Sequence, residues 1–337
     1  MHEAGDKVEL LVGTYARNGG AGIRSLVSTA GSLMAGPTMC DVTDASFGLW
    51  RQDRSMLYVV GEDTEGRVHA LQPCGGVLHR LWDARTSGAA PCHLALDDDG
   101  SQLLAANYES GSITTIAIHP DGPGQSTLLR LTGSGPDEER QAGPHAHWVG
   151  RATGSDHYYC VDLGSDTIWR FDRGATAPTP AFRAPPGSGP RHLAFHPREP
   201  LAFLVSELAS TVTCLAVDAD GSLHTLASQS TSPFGATKNL GGHILLNQAA
   251  NRLYVTNRGH DSIAVFAVDG AELRMIEHVR SGGASPRFML LLEAERRLLV
   301  ANEEGGTVRQ FHVADDGTLV AHATIIVPGA AFLIEAR

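Results

Sequence analysis

Five residues of the chain carry side chains suited to acid–base chemistry on an anionic substrate: His147, Arg191, Glu207, Arg258 and Arg287. A histidine and a glutamate can exchange protons with a water molecule or a leaving group. Guanidinium groups can bind a carboxylate, a phosphate or a developing oxyanion. These residue types predict a site for a small anion, provided that the fold brings together positions spread over 140 residues.

The five residues occupy equivalent places in a repeat that runs through the whole chain. Each copy has a polar residue that opens a short apolar strand, a turn, a second apolar strand, a small polar residue, a Gly/Ser-rich turn and a third strand. The copies open at intervals of 44 to 55 residues, at Ser46, Cys92, His147, Arg191, Gly242 and Arg287. A period of this length in short strands is typical of the blades of a β-propeller.

The two ends of the chain predict a seventh blade. Val8–Thr14 has the pattern of a second strand without a first, and residues 331–334 have the pattern of a first strand without successors. A blade built from both ends closes the ring and removes its exposed sheet edges. No segment has a sustained helical period, and no linker marks a boundary. We therefore predict an all-β fold, a seven-bladed β-propeller that forms a single domain over residues 1–337.

This fold brings two positions of the repeat together. In an antiparallel hairpin the start of the first strand lies beside the end of the second, here near the central channel. The opening residue, position 0, is therefore expected next to position +16, which is occupied by Glu62, Tyr108, Leu163, Glu207, Arg258 and Glu303. Both positions change from blade to blade, so they predict two rings of largely polar side chains at one mouth of the channel.

Structural roles explain other positions of the repeat. Position +1 is largely aromatic or histidine, so His192 and His243 are interpreted mainly as packing residues. Position +15 carries turn formers such as Asn107 and Asn257. Arg191 and Glu207 also have a structural interpretation, as an ion pair within one blade.

The sequence gives little support for a cofactor. His145 and His147 lie one residue apart on a predicted strand and are expected to point to the same side, but no carboxylate accompanies them at the spacing of a metal site. The sequence also lacks the serine-hydrolase elbow, the phosphate-binding loop, the His-Glu-x-x-His motif and the dinucleotide fingerprint. We expect no metal and no other cofactor.

Charge and cysteine usage restrict the partners and the location. The chain has 37 acidic and 26 basic residues, a net charge of −11, and no cluster of Lys or Arg longer than a pair. This composition argues against binding to nucleic acid or to an anionic membrane. The five cysteines are scattered, and the longest apolar run near the N-terminus has three residues, too short for a signal peptide or a membrane span. We expect a cytoplasmic protein, a monomer or weak homo-oligomer, that binds a small molecule.

The chain resembles the bacterial lactonase family of seven-bladed propellers, which includes propeller-type 6-phosphogluconolactonases and is similar to the carboxymuconate lactonising enzymes. The resemblance covers nearly the whole chain. It rests on Val12-Gly13-Thr14-Tyr15, Pro91-Cys92-His93-Leu94, Ala106-Asn107-Tyr108-Glu109-Ser110-Gly111-Ser112, Pro144-His145-Ala146-His147, Asp162-Leu163-Gly164-Ser165-Asp166, Gly189-Pro190-Arg191-His192, Ser206-Glu207-Leu208, Asn257-Arg258-Gly259 and Pro286-Arg287-Phe288. Two motifs depart from the family pattern: Asn302-Glu303 stands where Asn-Gln is common, and Gly61-Glu62 where Asn-Glu is common.

The resemblance implies a hydrolase that opens an anionic sugar lactone without a cofactor, and the substrate it implies first is 6-phospho-D-glucono-1,5-lactone of the pentose phosphate route. The active-site residues proposed for the family fall on His147, Arg191, Glu207 and Arg258, the set that the repeat already brings together. We expect either His147 or Glu207 to be the general base and Arg191 to bind the oxyanion.

Substrate binding is expected to involve further residues around the same mouth. Arg258 and Arg287 are predicted to bind a phosphate or a carboxylate. His145, Tyr108 and Glu62 are predicted as additional substrate contacts. The extra carboxylate of Glu303 makes the channel less favourable to anions.

Three alternatives stay open. The same pocket suits a cycloisomerase acting on a carboxylated muconate, because the arginines would hold carboxylates. A metal-dependent sugar lactonase would need a ligand set such as Glu62, Asn107 and Asn257. A non-catalytic interaction propeller would instead show an apolar or aromatic patch on one face, against which the 6% aromatic content argues weakly.

Overall fold

The computed structural model describes residues 7–152, 155–233 and 238–336. These residues form seven four-stranded antiparallel sheets arranged as the blades of a ring, together with one short 3-10 helix, Ala16–Asn18. The predicted seven-bladed β-propeller is confirmed. None of the helices in the described ranges is long and apolar enough to span a membrane.

The strands follow the ring in chain order. The closing blade consists of β1 (Val8–Thr14), β2 (Ile23–Ser28), β3 (Leu33–Cys40) and the C-terminal β28 (Ala330–Glu335). Blade 1 consists of β4 (Gly48–Trp50), β5 (Leu57–Gly61), β6 (Arg67–Cys74) and β7 (Val77–Arg85). Blade 2 consists of β8 (Pro91–Leu96), β9 (Gln102–Asn107), β10 (Ser112–His119) and β11 (Gly122–Arg130). Blade 3 consists of β12 (Ala146–Arg151), β13 (His157–Asp162), β14 (Thr167–Asp172) and β15 (Thr179–Arg183).

The second half of the ring has the same plan. Blade 4 consists of β16 (Pro190–Phe195), β17 (Leu201–Ser206), β18 (Thr211–Val217) and β19 (Leu223–Ser230). Blade 5 consists of β20 (Leu240–Leu246), β21 (Arg252–Arg258), β22 (Ser262–Asp269) and β23 (Glu272–Arg280). Blade 6 consists of β24 (Pro286–Leu292), β25 (Arg297–Asn302), β26 (Thr307–Val313) and β27 (Leu319–Ile326).

Each blade has an outer strand that the three-strand repeat does not include. These outer strands alternate between apolar and polar residues and are largely exposed, as in β19, where only the first residue is fully buried. Burial constrains the identity of few residues in such a strand, so its sequence varies from blade to blade and gives a weak repeat signal.

The ring is closed by pairing between the two ends of the chain. Strand β28 lies antiparallel to β1, with Val12 opposite Leu333 and Gly13 opposite Phe332. A Cβ atom at residue 13 would lie 2.0 Å from the Phe332 ring and 2.2 Å from the Ala45 carbonyl oxygen, so only glycine fits there. The predicted blade built from both termini is confirmed.

A β-bulge marks position 0 in six of the seven blades. In blade 4, for example, Pro190 pairs with Ser206 and His192 with Val205, so Arg191 is left out of the ladder. The residues skipped in the other bulged blades are Cys92, His147, Gly242 with His243, Arg287 and Ala331. A bulge breaks the alternation of side chains along a strand and re-aims the extra residue. In blade 1 the first strand begins only at Gly48, two residues after the predicted opening residue Ser46.

The residues at position +15 fix the turns between strands. Asp162, at the end of β13, accepts hydrogen bonds through Oδ1 from the backbone N–H of His145 at 2.7 Å and of Gly164 at 3.0 Å. Asn107 donates from Nδ2 to Thr114 Oγ1 at 2.9 Å, and Asn257 donates to the Thr231 carbonyl at 2.7 Å. The structural interpretation of this position therefore agrees with its contacts.

Aromatic and histidine rings at position +1 fill the centre of the ring. His93 stacks on Phe47 with ring centroids 4.1 Å apart, and His243 stacks on Phe288 at 4.2 Å. His192 lies 5.6 Å from His93 and 5.5 Å from His243. We call the rings at this position the central ring layer; its members are Phe47, His93, Trp148, His192, His243, Phe288 and Phe332. The layer supports the side chains that lie at the mouth of the channel.

Candidate active site

Glu207 is the centre of a buried group of arginines. It directly follows β17, and its Oε2 lies 3.0 Å from Arg191 Nε and 2.6 Å from Arg258 Nη2. Its Oε1 lies 2.6 Å from Arg140 Nη2. We call these four residues the guanidinium cluster. Three guanidinium groups against one carboxylate leave the cluster with an excess of two positive charges.

Three different elements position the arginines of the cluster. Arg191 is the bulged residue of β16, and Arg258 ends β21. Arg140 lies on the loop between β11 and β12, outside the repeat. Arg191 also donates from Nη1 to the Gly242 carbonyl at 2.7 Å, which ties it to blade 5. Two blades and one loop thus contribute cations to the same carboxylate.

The surroundings set the charge of both partners of the central ion pair. Burial raises the pKa of the Glu207 carboxyl, but Arg258 and Arg191 lower it by more, so the pKa lies well below its ordinary value. Burial and the neighbouring Arg258 lower the pKa of Arg191 to about 9. At neutral pH Glu207 is therefore an anion and Arg191 is still a cation.

His147 lies beside the cluster as a buried, neutral imidazole. Its Nε2 is 4.0 Å from Glu207 Oε2, longer than a hydrogen bond, and its Nδ1 is 3.8 Å from Cys92 Sγ. Burial and the Arg191 cation hold the pKa of His147 well below its usual range. Burial raises the pKa of the Cys92 thiol. The imidazole thus carries only one proton at neutral pH, and its other ring nitrogen is able to accept a second.

Tyr108 and His145 form a stacked pair of rings next to His147. The Tyr108 ring stacks on His145 at 4.5 Å and meets His147 edge-on at 5.3 Å. Its hydroxyl accepts a hydrogen bond from Arg140 Nη2 at 3.2 Å. His145 and His147 do not share a regular strand, because β12 begins only at Ala146 and His147 occupies the bulge, yet both rings contact Tyr108. The stacking on Tyr108 still keeps His145 near the site.

A second group of charged residues lies around Arg287. The Arg287 guanidinium is 3.5 Å from Glu62 and 3.4 Å from Glu303, and Arg17 Nη2 is 2.7 Å from Glu303. Tyr15 donates to Glu62 Oε2 at 2.5 Å, and both arginines lie over its ring. We call these five residues the balanced cluster, since its two cations face two carboxylates. Burial raises the pKa of Glu303, but Arg287, Arg17 and Arg258 together lower it by more, so the two clusters lie close enough to interact electrostatically.

The eight predicted site residues therefore divide between two neighbouring groups. The first lies in or against the guanidinium cluster: His147, Arg191, Glu207, Arg258, Tyr108 and His145. Arg287 and Glu62 lie in the balanced cluster, where the positive charge of Arg287 is countered by two carboxylates. The roles of all eight residues remain predictions.

The sequence analysis missed Arg140, Tyr15 and Arg17. Arg140 belongs to a loop between blades, and Tyr15 and Arg17 lie in and next to the short helix that follows β1. For Arg140 a signal was present, since the 55-residue interval from Cys92 to His147 is the longest of the repeat. The additional residues of that interval form the loop that carries Arg140.

Two buried polar atoms at positions of the repeat predicted to converge lack a hydrogen-bond partner among the described residues. They are Arg258 Nε and Ser46 Oγ. Ser46 occupies position 0 and Arg258 position +16, the two positions predicted to converge. Buried donors of this kind are satisfied by a bound ligand or by water.

The structure gives no ligand set for the metal-dependent alternative within the described ranges. No group of three or more His, Cys, Asp and Glu side chains converges there. The side-chain amide of Asn107 instead bonds Thr114 of its own blade, and that of Asn257 bonds the Thr231 carbonyl in the connection between blades 4 and 5.

The fold and the site together define a class of protein: a closed seven-bladed propeller with a buried His, Arg and Glu constellation at one mouth of its channel. Residues 9–334 match the family model of the lactonase with a seven-bladed β-propeller. The 6-phosphogluconolactonase of Bacillus subtilis is 33% identical over 313 residues, covering 89% of each protein.

Solved structures show the same similarity. The periplasmic gluconolactonase of Pseudomonas aeruginosa superposes with a TM-score of 0.91 at 26% identity, over 98% of this chain and 99% of that one. A protein from Lactobacillus plantarum also gives a TM-score of 0.91, at 27% identity over 97% of this chain and 99% of its own. The chain belongs to the lactonase family of seven-bladed β-propellers, as the sequence motifs predicted.

Proposed function

We propose that the protein hydrolyses a sugar lactone and that 6-phospho-D-glucono-1,5-lactone is its substrate. The observation that carries the proposal is the neutral His147 beside a carboxylate held by three guanidinium groups. Membership of the lactonase family and the names of two relatives, a 6-phosphogluconolactonase and a gluconolactonase, support it.

In the proposed reaction His147 acts as the general base. A water molecule gives a proton to the imidazole and attacks the lactone carbonyl carbon, which becomes tetrahedral. The imidazolium then returns the proton to the ring oxygen as its bond to the carbonyl carbon breaks, leaving a hydroxy acid. Glu207 is the poorer base because three guanidinium groups stabilise its ionised form. Its negative charge, 4.0 Å away, stabilises the imidazolium.

Arg191 is positioned to stabilise the oxyanion. Its hydrogen bonds to described residues use Nε and Nη1, which leaves Nη2 for the substrate. The contacts to Glu207, Gly242 and His192 fix the guanidinium before the substrate arrives. A preorganised cation in a buried site stabilises developing charge more strongly than one that must reorganise.

The phosphate of the substrate is assigned to the positive excess of the guanidinium cluster. The Arg258 Nε has no hydrogen-bond partner among the described residues, and the side chain borders an open groove of about 750 Å³. The groove is also lined by Lys238 and by the carboxylates of Asp137, Asp261 and Glu304. Arg287, the other predicted phosphate ligand, already faces two carboxylates. Arg258 is therefore the stronger of the two predicted contacts to an anion, while Glu62 and Glu303 suit the hydroxyl groups of a sugar as hydrogen-bond acceptors.

A substrate panel tests the proposal. Acid release would be followed with a pH indicator for 6-phosphogluconolactone, gluconolactone and a muconolactone, and consumption of carboxymuconate by ultraviolet absorbance, each with and without EDTA. We expect hydrolysis of the phosphorylated lactone to be fastest and unchanged by EDTA. The His147→Gln variant should lose this activity, while a matched change at the exposed His224 should not. If carboxymuconate alone is consumed, the protein is a cycloisomerase and not a lactone hydrolase. If EDTA abolishes the activity and a divalent ion restores it, the protein is a metal-dependent lactonase.

The cytoplasmic location and the weak or absent self-association remain part of the proposal. All five cysteines are free thiols, as expected in a reducing compartment. The relative from P. aeruginosa is named periplasmic, so cell fractionation is the direct test of location. Light scattering at several concentrations tests the oligomeric state.

A further inference from the structure

The loop between β11 and β12 holds Arg140 in a defined position. Gln141 is fully buried and donates from Nε2 to the Leu163 carbonyl at 2.8 Å and to Asp166 Oδ1 at 2.9 Å. Asp137 Oδ1 accepts hydrogen bonds from the backbone N–H of Glu139 at 3.1 Å and of Arg140 at 3.0 Å. The backbone around Arg140 is thus fixed from both sides, and its side chain does not need to be ordered by a substrate.

The Arg140 side chain crosses from this loop to the guanidinium cluster. Its Nη2 donates both to Glu207 Oε1 and to the Tyr108 hydroxyl. Its Nη1 and Nε make no hydrogen bond to the described residues. The Arg140 side chain is 32% exposed, against 2% for Arg191, so Arg140 is the more accessible of the two to a molecule from solution. Burial lowers the pKa of Arg140, but Glu207 and Tyr108 raise it by more, so the side chain keeps its charge.

Arg140 decides how much positive charge the site presents. With Glu207 balanced against Arg191 and Arg258 alone, the excess would be one charge; Arg140 raises it to two. A phosphate monoester carries close to two negative charges at neutral pH, whereas an unphosphorylated lactone carries none. A guanidinium also presents a planar fork that fits phosphate oxygens. Asp137, on the same loop, borders the groove that begins at Arg258, so the loop lies beside the space available to a phosphate.

We propose that Arg140 is a specificity-determining residue that selects phosphorylated over unphosphorylated sugar lactones. This inference rests on the proposed lactonase function of the same site. Arg140 contacts the phosphate, while Glu207 and Tyr108 hold the guanidinium in place. The residue comes from a loop rather than from the repeated blade, so selectivity is set separately from the acid–base groups.

The Arg140→Gln variant tests the proposal by comparing two substrates. We expect the ratio of kcat/KM for 6-phosphogluconolactone to kcat/KM for gluconolactone to fall about ten- to a hundred-fold, mainly through a higher KM for the phosphorylated substrate. Arg140→Lys, which keeps the charge without the fork, should restore part of the ratio. Arg183→Gln, an equivalent change on the outer strand β15, is the matched control. Equal losses for both substrates would mean that Arg140 only orients Glu207, and would overturn the proposal.

Product binding separates this inference from the proposed function. Calorimetry with 6-phosphogluconate and gluconate requires no catalysis. If the wild-type protein is inactive on every lactone but prefers 6-phosphogluconate in an Arg140-dependent manner, the function proposal fails and the inference survives. If the wild-type protein does not prefer 6-phosphogluconate, or if Arg140→Gln leaves the preference unchanged, the inference is wrong. Unchanged circular dichroism and melting temperature would show that the variant is folded.

Discussion

At the scale of single residues, the proposed mechanism gives proton transfer to His147 and charge stabilisation to Glu207, whose side chains lie 4.0 Å apart. The oxygens of Glu207 accept hydrogen bonds from Arg140 and Arg191 and form an ion pair with Arg258, so protonating this carboxylate means weakening several charge-assisted contacts at once. His147 has no such partner on Nε2 and stays neutral through burial. In the proposed mechanism the pair therefore works as a unit in which the imidazole moves the proton and the carboxylate stabilises the imidazolium.

Replacing either member should disable the unit. We expect His147→Gln and Glu207→Gln each to lower kcat by roughly 10²- to 10⁴-fold, and the double variant to be little slower than the slower single variant. The measurement is steady-state hydrolysis of the best lactone of the panel. If both single variants fold and keep near wild-type turnover, the catalytic assignment is wrong and Arg191 and Glu207 form only a structural ion pair.

The pH dependence of the wild-type protein gives a second readout of the same prediction. A general base must be unprotonated, so activity falls as the pH drops through its pKa. Because the pKa of His147 is held well below its usual range, the acid limb of kcat/KM should lie below pH 6.5. An acid limb at or above that pH would exclude His147 as the base.

At the scale of strands, a bulge at the start of the inner strand re-aims two of the predicted site residues, His147 and Arg191, while Glu207 and Arg258 lie at the ends of second strands. The repeat made this convergence predictable, because equivalent positions of equivalent blades must meet around one axis. Positions 0 and +16 therefore identified His147, Arg191, Glu207 and Arg258 without any coordinates. The bulge itself was not predictable from the sequence, since it depends on how the hairpin register slips by one residue.

The parts that sequence reasoning missed lie outside the repeat. Arg140 and Arg17 come from segments between strands, where no periodic pattern relates one blade to another. The division into two clusters was missed for another reason: ion-pair partners depend on side-chain directions, which residue types do not determine. Arg287 was predicted to bind an anion, yet the structure places two carboxylates next to it.

Because β28 closes the ring, its buried side chains should contribute strongly to the stability of the protein. Phe332 is fully buried between the closing blade and blade 1, while Ile326 at the end of β27 is 74% exposed. Phe332→Ala should lower the free energy of unfolding by about 3–5 kcal/mol, and Ile326→Ala should change it by less than about 0.5 kcal/mol. Urea unfolding followed by circular dichroism measures both. Similar small effects for the two variants would contradict closure through β28.

At the scale of the whole molecule, opposite charges are separated between surface and channel. The chain carries a net charge of −11, yet the guanidinium cluster concentrates an excess of two positive charges at the channel mouth. An acidic surface disfavours binding to nucleic acid, and a local positive site still attracts a small anion over short distances. The histidines of the central ring layer are uncharged at neutral pH, so the layer adds no positive charge next to the site.

That neutrality gives the molecule a predictable response to acid. Burial lowers the pKa of His93 to about 3, and burial together with Arg191 lowers the pKa of His243 to about 3. Below pH 6.5 the unfolded chain protonates these histidines while the folded protein does not, so the unfolded state binds more protons and stability falls with falling pH. Above pH 6.5 they are neutral in both states and contribute no pH dependence.

Replacing one histidine of the layer by phenylalanine, the residue that occupies this position in three other blades, isolates its contribution. As the pH falls from 6.5 to 5.0, each buried histidine should lower the free energy of unfolding by at most about 1.4 kcal/mol per pH unit. His93→Phe keeps the stacking on Phe47 but loses the hydrogen bond accepted from the Val149 N–H, so it should be less stable at pH 7.5 yet lose stability more slowly on acidification. Urea unfolding at each pH measures the slope, with His224→Gln as the exposed control. Staying above pH 5.0 avoids most of the titration of carboxylates, which occurs at lower pH.

If the free energy of unfolding falls with pH equally for His93→Phe and for the wild-type protein, His93 gains its proton in the folded ring as easily as in the unfolded chain. The layer would then contribute nothing to acid sensitivity.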